Sequence, residues 1–277
     1  MRLEEVHPYH VSARNVAISA VGYSAYAIFW RWMFLRFPPR RNKDAKKTSD
    51  EVFAKDASLC MVAITSHAFM GPWALCMAVV FTLYGSTADG LSGYLSGVDA
   101  FWMRMDLYCC VCGEIITGNF LFQLVFWFLR WETGLVSFLH HLGFVVAGVL
   151  VLWVQLYPRL SAAAISMEVS SPFLSSHLLF RQLEGDLAAS ISNASSVVFV
   201  LLFFVVRILF YGYTVLDFQY QYFLHRDGFP PWADPTVTTA IMIIFSVGWV
   251  LQLFWSRAVF AKAIKALRGS QGKEKPS

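Results

Sequence analysis

The chain has 277 residues, of which 57% are hydrophobic and only 14% are charged, and its formal net charge is +4. A soluble globule of this size needs many more charged residues on its surface, so the composition excludes that class and indicates a protein dissolved in the lipid bilayer. Its basic segments lack interleaved aromatic residues, so the positive charge does not indicate a nucleic-acid partner.

Seven apolar segments predict an all-α fold, a polytopic transmembrane bundle of about seven helices. Each segment can cross a hydrocarbon core about 30 Å thick, and none shows the alternating polarity of a membrane β-barrel. The predicted spans are residues 14–36, 58–84, 105–129, 136–157, 161–181, 195–222 and 237–260. The fifth contains a glutamate, a proline and a histidine, so we expect either a simple span or a broken, re-entrant helix.

Lysine and arginine residues concentrate in the loop after the first span and in the C-terminal tail. Because cytosolic loops collect such residues, seven spans place both segments in the cytosol and the N-terminus on the lumenal face. Lys273 and Lys275 have the spacing of a dilysine retrieval signal, which favours the endoplasmic reticulum. We divide the chain into an anchor helix with a basic loop (1–54), a transmembrane domain (55–262) and a basic tail (263–277).

A short set of ionisable side chains falls inside these apolar spans. A charged group near the bilayer centre costs roughly 2.5 to 3.5 kcal/mol, so each one requires a partner, a cavity or a function. The set comprises His67, Glu114, His140, His141, Glu168, His177, Arg207 and Asp217. Arg207 stays charged, so we expect it to form a structural ion pair with Glu114 or Glu168, or to clamp a phosphate or carboxylate. For His67 we expect one inter-helix hydrogen bond and no more.

His140 and His141 lie near the predicted cytosolic end of the fourth span, about 100° apart around the helix. They cannot face the same point, so we expect one to line a cavity while the other packs. A neutral imidazole there is suited to act as a base or nucleophile, and the cytosolic end suits a soluble donor such as acyl-CoA. The alternative is that both histidines only hydrogen-bond neighbouring helices and headgroups.

The stretch Glu168-Val169-Ser170-Ser171-Pro172-Phe173 carries a backbone signal. Pro172 cannot donate to the carbonyl of Glu168, so the helix is predicted to kink or to restart with Ser171 as its N-cap. A restarted half-helix would direct free amides at an anionic headgroup or a carbonyl oxygen. The alternative is an ordinary proline kink whose serines satisfy the freed backbone.

The five cysteines all lie in apolar segments, and three of them, Cys109, Cys110 and Cys112, form a Cys-Cys-x-Cys run. No partner stands at zinc-ligand spacing, so packing explains these residues better than a metal does. We predict no metal and no cofactor. Acyl-CoA enters only as a candidate substrate.

Together these residues resemble the TLC domain, the family named for TRAM, Lag1 and CLN8 proteins, over about residues 55 to 262. The matching fragments are Ser66-His67, His140-His141, Glu168 with Ser170 to Phe173, Arg207 and the aromatic last helix around Trp255. The Glu-x-Ser-x-Pro-Phe pattern is similar to that of the TLC-domain-containing proteins. Ceramide synthases share the paired histidines, which lie in their acyl-transfer site, but their following His-Asp pair has no counterpart here.

The resemblance implies a bundle around a lipid-accessible cavity and a role in lipid metabolism or homeostasis. We carry three hypotheses: a protein that binds or remodels membrane lipids, an acyl-CoA-dependent acyltransferase, and a non-catalytic subunit of a membrane complex. The first expects a lipid beside His140, His141 and Glu168. The second expects a histidine within hydrogen-bond reach of Glu168 or Asp217, and the third expects a collapsed interior.

The candidate residues fall into two groups, and whether the protein is an enzyme stays open. The catalytic candidates are His140, His141 and Glu168. The candidates for a lipid-binding cavity are His67, Glu114, Ser170, Ser171, Pro172, Phe173 and Arg207. The expected partners are membrane lipids, with membrane proteins or a second copy of the chain as further candidates.

Overall fold

The computed structural model describes residues 13–42, 48–84, 113–125, 135–154, 158–224 and 234–271. Within these ranges the chain is helical apart from short connections and one isolated bridge. The helices are α1 Ala13–Arg36, α2 Asp50–Tyr84, α3 113–125, α4 Leu135–Val154, α5 Pro158–Ser166, α6 Ser171–Phe180, α7 Asp186–Leu202, α8 Tyr211–Leu224 and α9 Pro235–Gln271. The predicted all-α transmembrane bundle is confirmed. The Cys-Cys-x-Cys run and the two tail lysines lie outside the described residues.

Three described helical stretches are long and apolar enough to cross a bilayer: Asp50–Val80, Asp186–Leu224 and Pro235–Ala261. A shorter apolar stretch, Phe138–Val151, lies in α4. The helix of the sixth predicted span begins at Asp186 rather than near residue 195. Gly185 precedes it with a φ of 109°, a conformation that glycine adopts readily, and Asp186 suits the positive end of the helix dipole.

The fifth predicted span is one continuous helical path whose winding changes in the middle. A 3₁₀ turn, Met167–Ser170, separates α5 from α6. The prediction that Ser171 is an N-cap was wrong, because α6 begins at Ser171 and Ser170 precedes it with helical dihedrals and no side-chain cap. The tighter turn brings Pro172 into the first turn of α6, where its missing N–H costs nothing, so the chain does not restart.

Helix α2 is the centre of the packing and contacts α1, α5, α6 and the 3₁₀ turn. The approach to that turn requires a glycine, because a Cβ on Gly71 would lie 2.5 Å from the Cα of Val169. The largest apolar core among the described residues joins α2, α4, α5, α8 and α9 and includes Leu160, Tyr211 and Phe245. Because Gly71 of α2 lies against Val169, the neighbouring Glu168 also lies against the middle of α2.

The segment after α1 is joined to the turn between α6 and α7. Arg41 and Leu183 form the isolated antiparallel bridge, and the N–H of Asn42 donates to the carbonyl of Gln182 over 3.0 Å. The loop after the first helix and the turn after α6 therefore lie at one end of the bundle. Which face of the membrane this end occupies stays a prediction.

Candidate functional site

Arg207 lies in a π-helix, Phe203–Phe210, which joins α7 to α8. Such wide turns are rare and often occur at functional sites, because they displace side chains and backbone groups from the α-helical register. The indole Nε1 of Trp249 in α9 donates to the carbonyl of Ile208 over 3.2 Å. The indole thus satisfies a carbonyl inside the π-helix, and the Arg207 side chain is buried in the bundle.

The guanidinium of Arg207 has a hydrogen-bond partner for each of its nitrogens. Its Nε donates to Ser170 Oγ and its Nη2 to Ser171 Oγ, both over 2.8 Å. Its Nη1 approaches Gln252 Oε1 at 3.5 Å. The two serines that follow Glu168 in the sequence therefore hold the side-on edge of this arginine, which is the edge best suited to two parallel hydrogen bonds.

Glu168 supplies the opposite charge. Its Oε1 lies 3.8 Å from Arg207 Nη2, and the hydroxyl of Ser171 donates to Oε2. The carboxylate expected for Arg207 is therefore Glu168 and not Glu114. Both side chains are buried, and a buried charge without a partner is costly. Each of the two charges compensates the other.

His67 in α2 contacts two groups of the site. Its Nε2 lies 2.8 Å from Asn119 Nδ2, and its Nδ1 lies 3.1 Å from Glu168 Oε2, at ion-pair distance but without hydrogen-bond alignment. An amide N–H can only donate, so Nε2 accepts from Asn119. His67 therefore has the expected inter-helix hydrogen bond, to Asn119, and the close packing at Gly71 adds the ion-pair contact with Glu168.

His140 and His141 lie in α4 beside this network, with their ring centroids 5.5 Å apart. His140 packs against Phe144 at 4.8 Å and Trp255 at 5.0 Å, and His141 lies 5.7 Å from the ring of Phe120. Both imidazoles are close enough to Glu168 to interact electrostatically with it. We call the whole set the polar centre: His67, Asn119, His140, His141, Glu168, Ser170, Ser171, Arg207 and Gln252.

Three of the predicted polar residues have contacts outside the polar centre. Glu114 accepts a hydrogen bond from Asn15 of α1 over 2.8 Å. Asp217 accepts one from Arg159 over 2.7 Å, and His177 Nδ1 lies 3.0 Å from Ser192 Oγ. Of the two remaining candidates, Pro172 is buried and Phe173 is half-buried, directly after Ser171. Their role in lipid binding stays a prediction.

Asn119 and Gln252 are members of the polar centre that sequence reasoning missed. Each is fully or almost fully buried, and Asn119 Oδ1 and Gln252 Nε2 have no hydrogen-bond partner within the described residues. Buried amide atoms are normally paired, so these two atoms present one acceptor and one donor for a further polar group.

Within the described residues, no three His, Cys, Asp or Glu side chains are grouped so that they could hold a metal ion. The pair of Glu168 and Arg207 balances its own charge, and the imidazoles add nitrogens that can donate or accept. The described arrangement is therefore suited to hydrogen-bonding and proton transfer.

Comparison with known proteins adds one result. The family model of the TLC domain matches residues 56–261, which is well over half of the chain. No curated protein and no solved structure matches the chain. The TLC domain is generally related to membrane lipids, and the helices described above are of the membrane-spanning kind. The chain is an integral membrane protein that belongs to the TLC domain family.

Proposed function

We propose that the protein binds a membrane lipid inside its helical bundle and holds a polar group of that lipid at the polar centre. The observation that carries this proposal is the convergence of His67, Glu168 and Arg207, from three separate segments of the chain, into one buried network. A buried ion pair is often no more stabilising than apolar residues of the same volume. The network would therefore add little stability to the bundle compared with apolar packing. A role in binding accounts for it better.

The polar group that suits this centre is uncharged. Arg207 is already engaged by Ser170, Ser171 and Gln252, and Glu168 neutralises its charge. An incoming anion would have to displace these partners. A carbonyl, hydroxyl or amide of a lipid needs only the donor and the acceptor that the buried amides of Gln252 and Asn119 leave open.

Acyl transfer is the second candidate function, and the contact between His67 and Glu168 favours it. In this reaction the hydroxyl or amine of a lipid attacks the thioester carbon of acyl-CoA, and the new ester or amide bond forms as the C–S bond breaks. A histidine takes the proton from the nucleophile and returns it to the leaving thiolate, which yields free CoA. His67 lies 3.1 Å from Glu168, and release of its Nε2 from Asn119 would free the lone pair that accepts the proton. His140 and His141 lie beside this pair.

We further propose that the protein acts in the endoplasmic reticulum membrane, with its N-terminus in the lumen and its C-terminus in the cytosol. The basic loop and the basic tail support this orientation, and the spacing of the tail lysines supports the compartment. Its partners are then the lipids of that membrane, with acyl-CoA reaching the bundle from the cytosol.

The test is mass-spectrometric lipid analysis of the purified protein and its host membranes after addition of isotope-labelled acyl-CoA. Wild type is compared with His140→Ala, His141→Ala and Glu168→Ala, and His177→Ala serves as the control because that histidine contacts Ser192 instead. A co-purified lipid that is lost in the three variants but kept in the control supports binding. A labelled product lost in the same variants supports acyl transfer, and the absence of both would replace these functions with that of a structural subunit.

A further inference from the structure

A second buried arginine, Arg159, lies in the first turn of α5 and is 5% exposed. Its Nη1 donates to Asp217 Oδ2 over 2.7 Å, and its guanidinium lies 5.5 Å from the ring centroid of Tyr213. Tyr213 and Asp217 are four residues apart in α8 and therefore share one face of that helix. The three side chains form a small cluster that none of the functions above uses.

Half of this guanidinium is unpaired among the described residues. The Nε and Nη2 atoms of Arg159 are buried and have no hydrogen-bond partner within the described residues. These two nitrogens form the side-on edge of the group, whose parallel N–H bonds match two oxygens of a phosphate or carboxylate. The corresponding edge of Arg207 is filled by Ser170 and Ser171. A buried, charged donor pair without an acceptor is costly, so the open edge indicates an absent anionic group.

The position of the cluster along the helix predicts that it lies near the level of lipid headgroups. Asp217 follows Arg207 by ten residues, which places it roughly 15 Å further along the helix. Tyr213, Tyr220 and Phe223 are exposed on the same part of α8, as aromatic residues commonly are at the edge of the hydrocarbon core. The Asp217 side chain is 19% exposed, so the ion pair reaches the surface of the bundle.

We propose that Arg159 binds the phosphate of a zwitterionic phospholipid through Nε and Nη2, while Asp217 holds the opposite edge of the guanidinium. Asp217 already neutralises Arg159, so a phosphate alone would leave a net negative charge. A headgroup with its own ammonium restores the balance, and that ammonium can lie beside Asp217 and the ring of Tyr213. This site is separate from the polar centre and does not depend on the function proposed for it.

The experiment measures lipid retention by native mass spectrometry on the full chain in detergent. The purified protein is exchanged with phosphatidylcholine, with phosphatidylglycerol, with a diacylglycerol of the same acyl chains, or with inorganic phosphate alone. Wild type should retain one phosphatidylcholine, with weaker retention of phosphatidylglycerol and none of the other two. Arg159→Lys keeps the charge beside Asp217 but loses the paired donors, so it should reduce retention about tenfold or more. Arg257→Gln, at an exposed arginine of α9, should retain as much as wild type.

Thermal unfolding of wild type gives a readout that needs no variant. Phosphatidylcholine should raise the melting temperature more than the matched diacylglycerol does, because a ligand that binds only the folded state stabilises it. Equal shifts for the two lipids, equal retention in Arg159→Lys and wild type, or binding of inorganic phosphate alone would each overturn the proposal.

Discussion

Arg207 and Glu168 form a buried ion pair, with Nη2 of the arginine 3.8 Å from Oε1 of the glutamate. The side chains are 8% and 6% exposed, so neither charge has much contact with the surroundings of the bundle. Replacement of one partner by an apolar residue leaves the other charge buried and uncompensated. Replacement of both leaves two apolar side chains and no buried charge. The first prediction follows from this asymmetry.

Glu168→Met should lower the free energy of unfolding by about 3 to 5 kcal/mol, because Arg207 then keeps its charge without a carboxylate. The double variant Glu168→Met with Arg207→Met should lose less than the two single variants added together. Chemical unfolding in detergent micelles measures all three, and the control is the exposed Asp186→Asn, which loses only a charge–dipole contact worth about 1 kcal/mol or less. Additive losses would show that the two side chains are not coupled.

Gly71→Ala should destabilise the protein by about 1 to 3 kcal/mol, because the added methyl group would lie 2.5 Å from the backbone of Val169. The backbone there cannot move without shifting Glu168. Gly143→Ala is the matched control, since a Cβ at that helical glycine meets no atom within 4 Å. The control should be neutral or slightly stabilising. Comparable destabilisation by both variants, measured by thermal unfolding, would refute the close approach of α2 and the 3₁₀ turn.

Trp249→Phe should cost about 1 kcal/mol of stability, because the carbonyl of Ile208 then loses the indole donor. The same change at Trp32, which is 55% exposed in α1, should have an effect below about 0.5 kcal/mol. Unfolding curves of the two variants measure both changes in stability. Equal stability of the two variants would mean that the indole does not support the π-helix.

Asp234 caps α9, and its carboxylate accepts hydrogen bonds from the backbone amides of Thr236 and Val237. These amides lower the pKa of Asp234 from its ordinary value. The stabilisation is therefore present above the unfolded-state pKa and is lost as the pH falls through the lower, folded-state pKa. The melting temperature of wild type should exceed that of Asp234→Ala near neutral pH, and the difference should shrink as the pH falls from about 6 to about 3. A pH-independent difference would contradict this assignment.

Much of the fold could be predicted from the sequence, because long apolar runs leave few alternatives to membrane helices. The pairing of Arg207 with a carboxylate was also predictable, since a permanent charge inside an apolar span demands one. The choice of Glu168 over Glu114 was not, because it depends on the close packing of Gly71 against Val169. The π-helix around Arg207 gives no signal in the sequence.

The neutral amides of the site escaped prediction for a different reason. Asn119 and Gln252 carry no charge, so within apolar segments they look like tolerated polar residues. Arg159 falls outside the predicted fifth span, which begins at residue 161, whereas α5 begins at Pro158. Its burial follows from the contact with Asp217 on α8, which no local pattern predicts.

The most direct test of the central claim is photo-crosslinking in membranes with a fatty-acid analogue that cells incorporate into their lipids. Peptide mapping then locates the adducts. If the polar centre binds a lipid, mapping to single residues finds adducts on buried side chains such as His141 and Gln252, in addition to outward-facing residues such as Phe69. Adducts confined to the outward-facing residues would contradict the claim, because they would show that lipid surrounds the bundle without entering it.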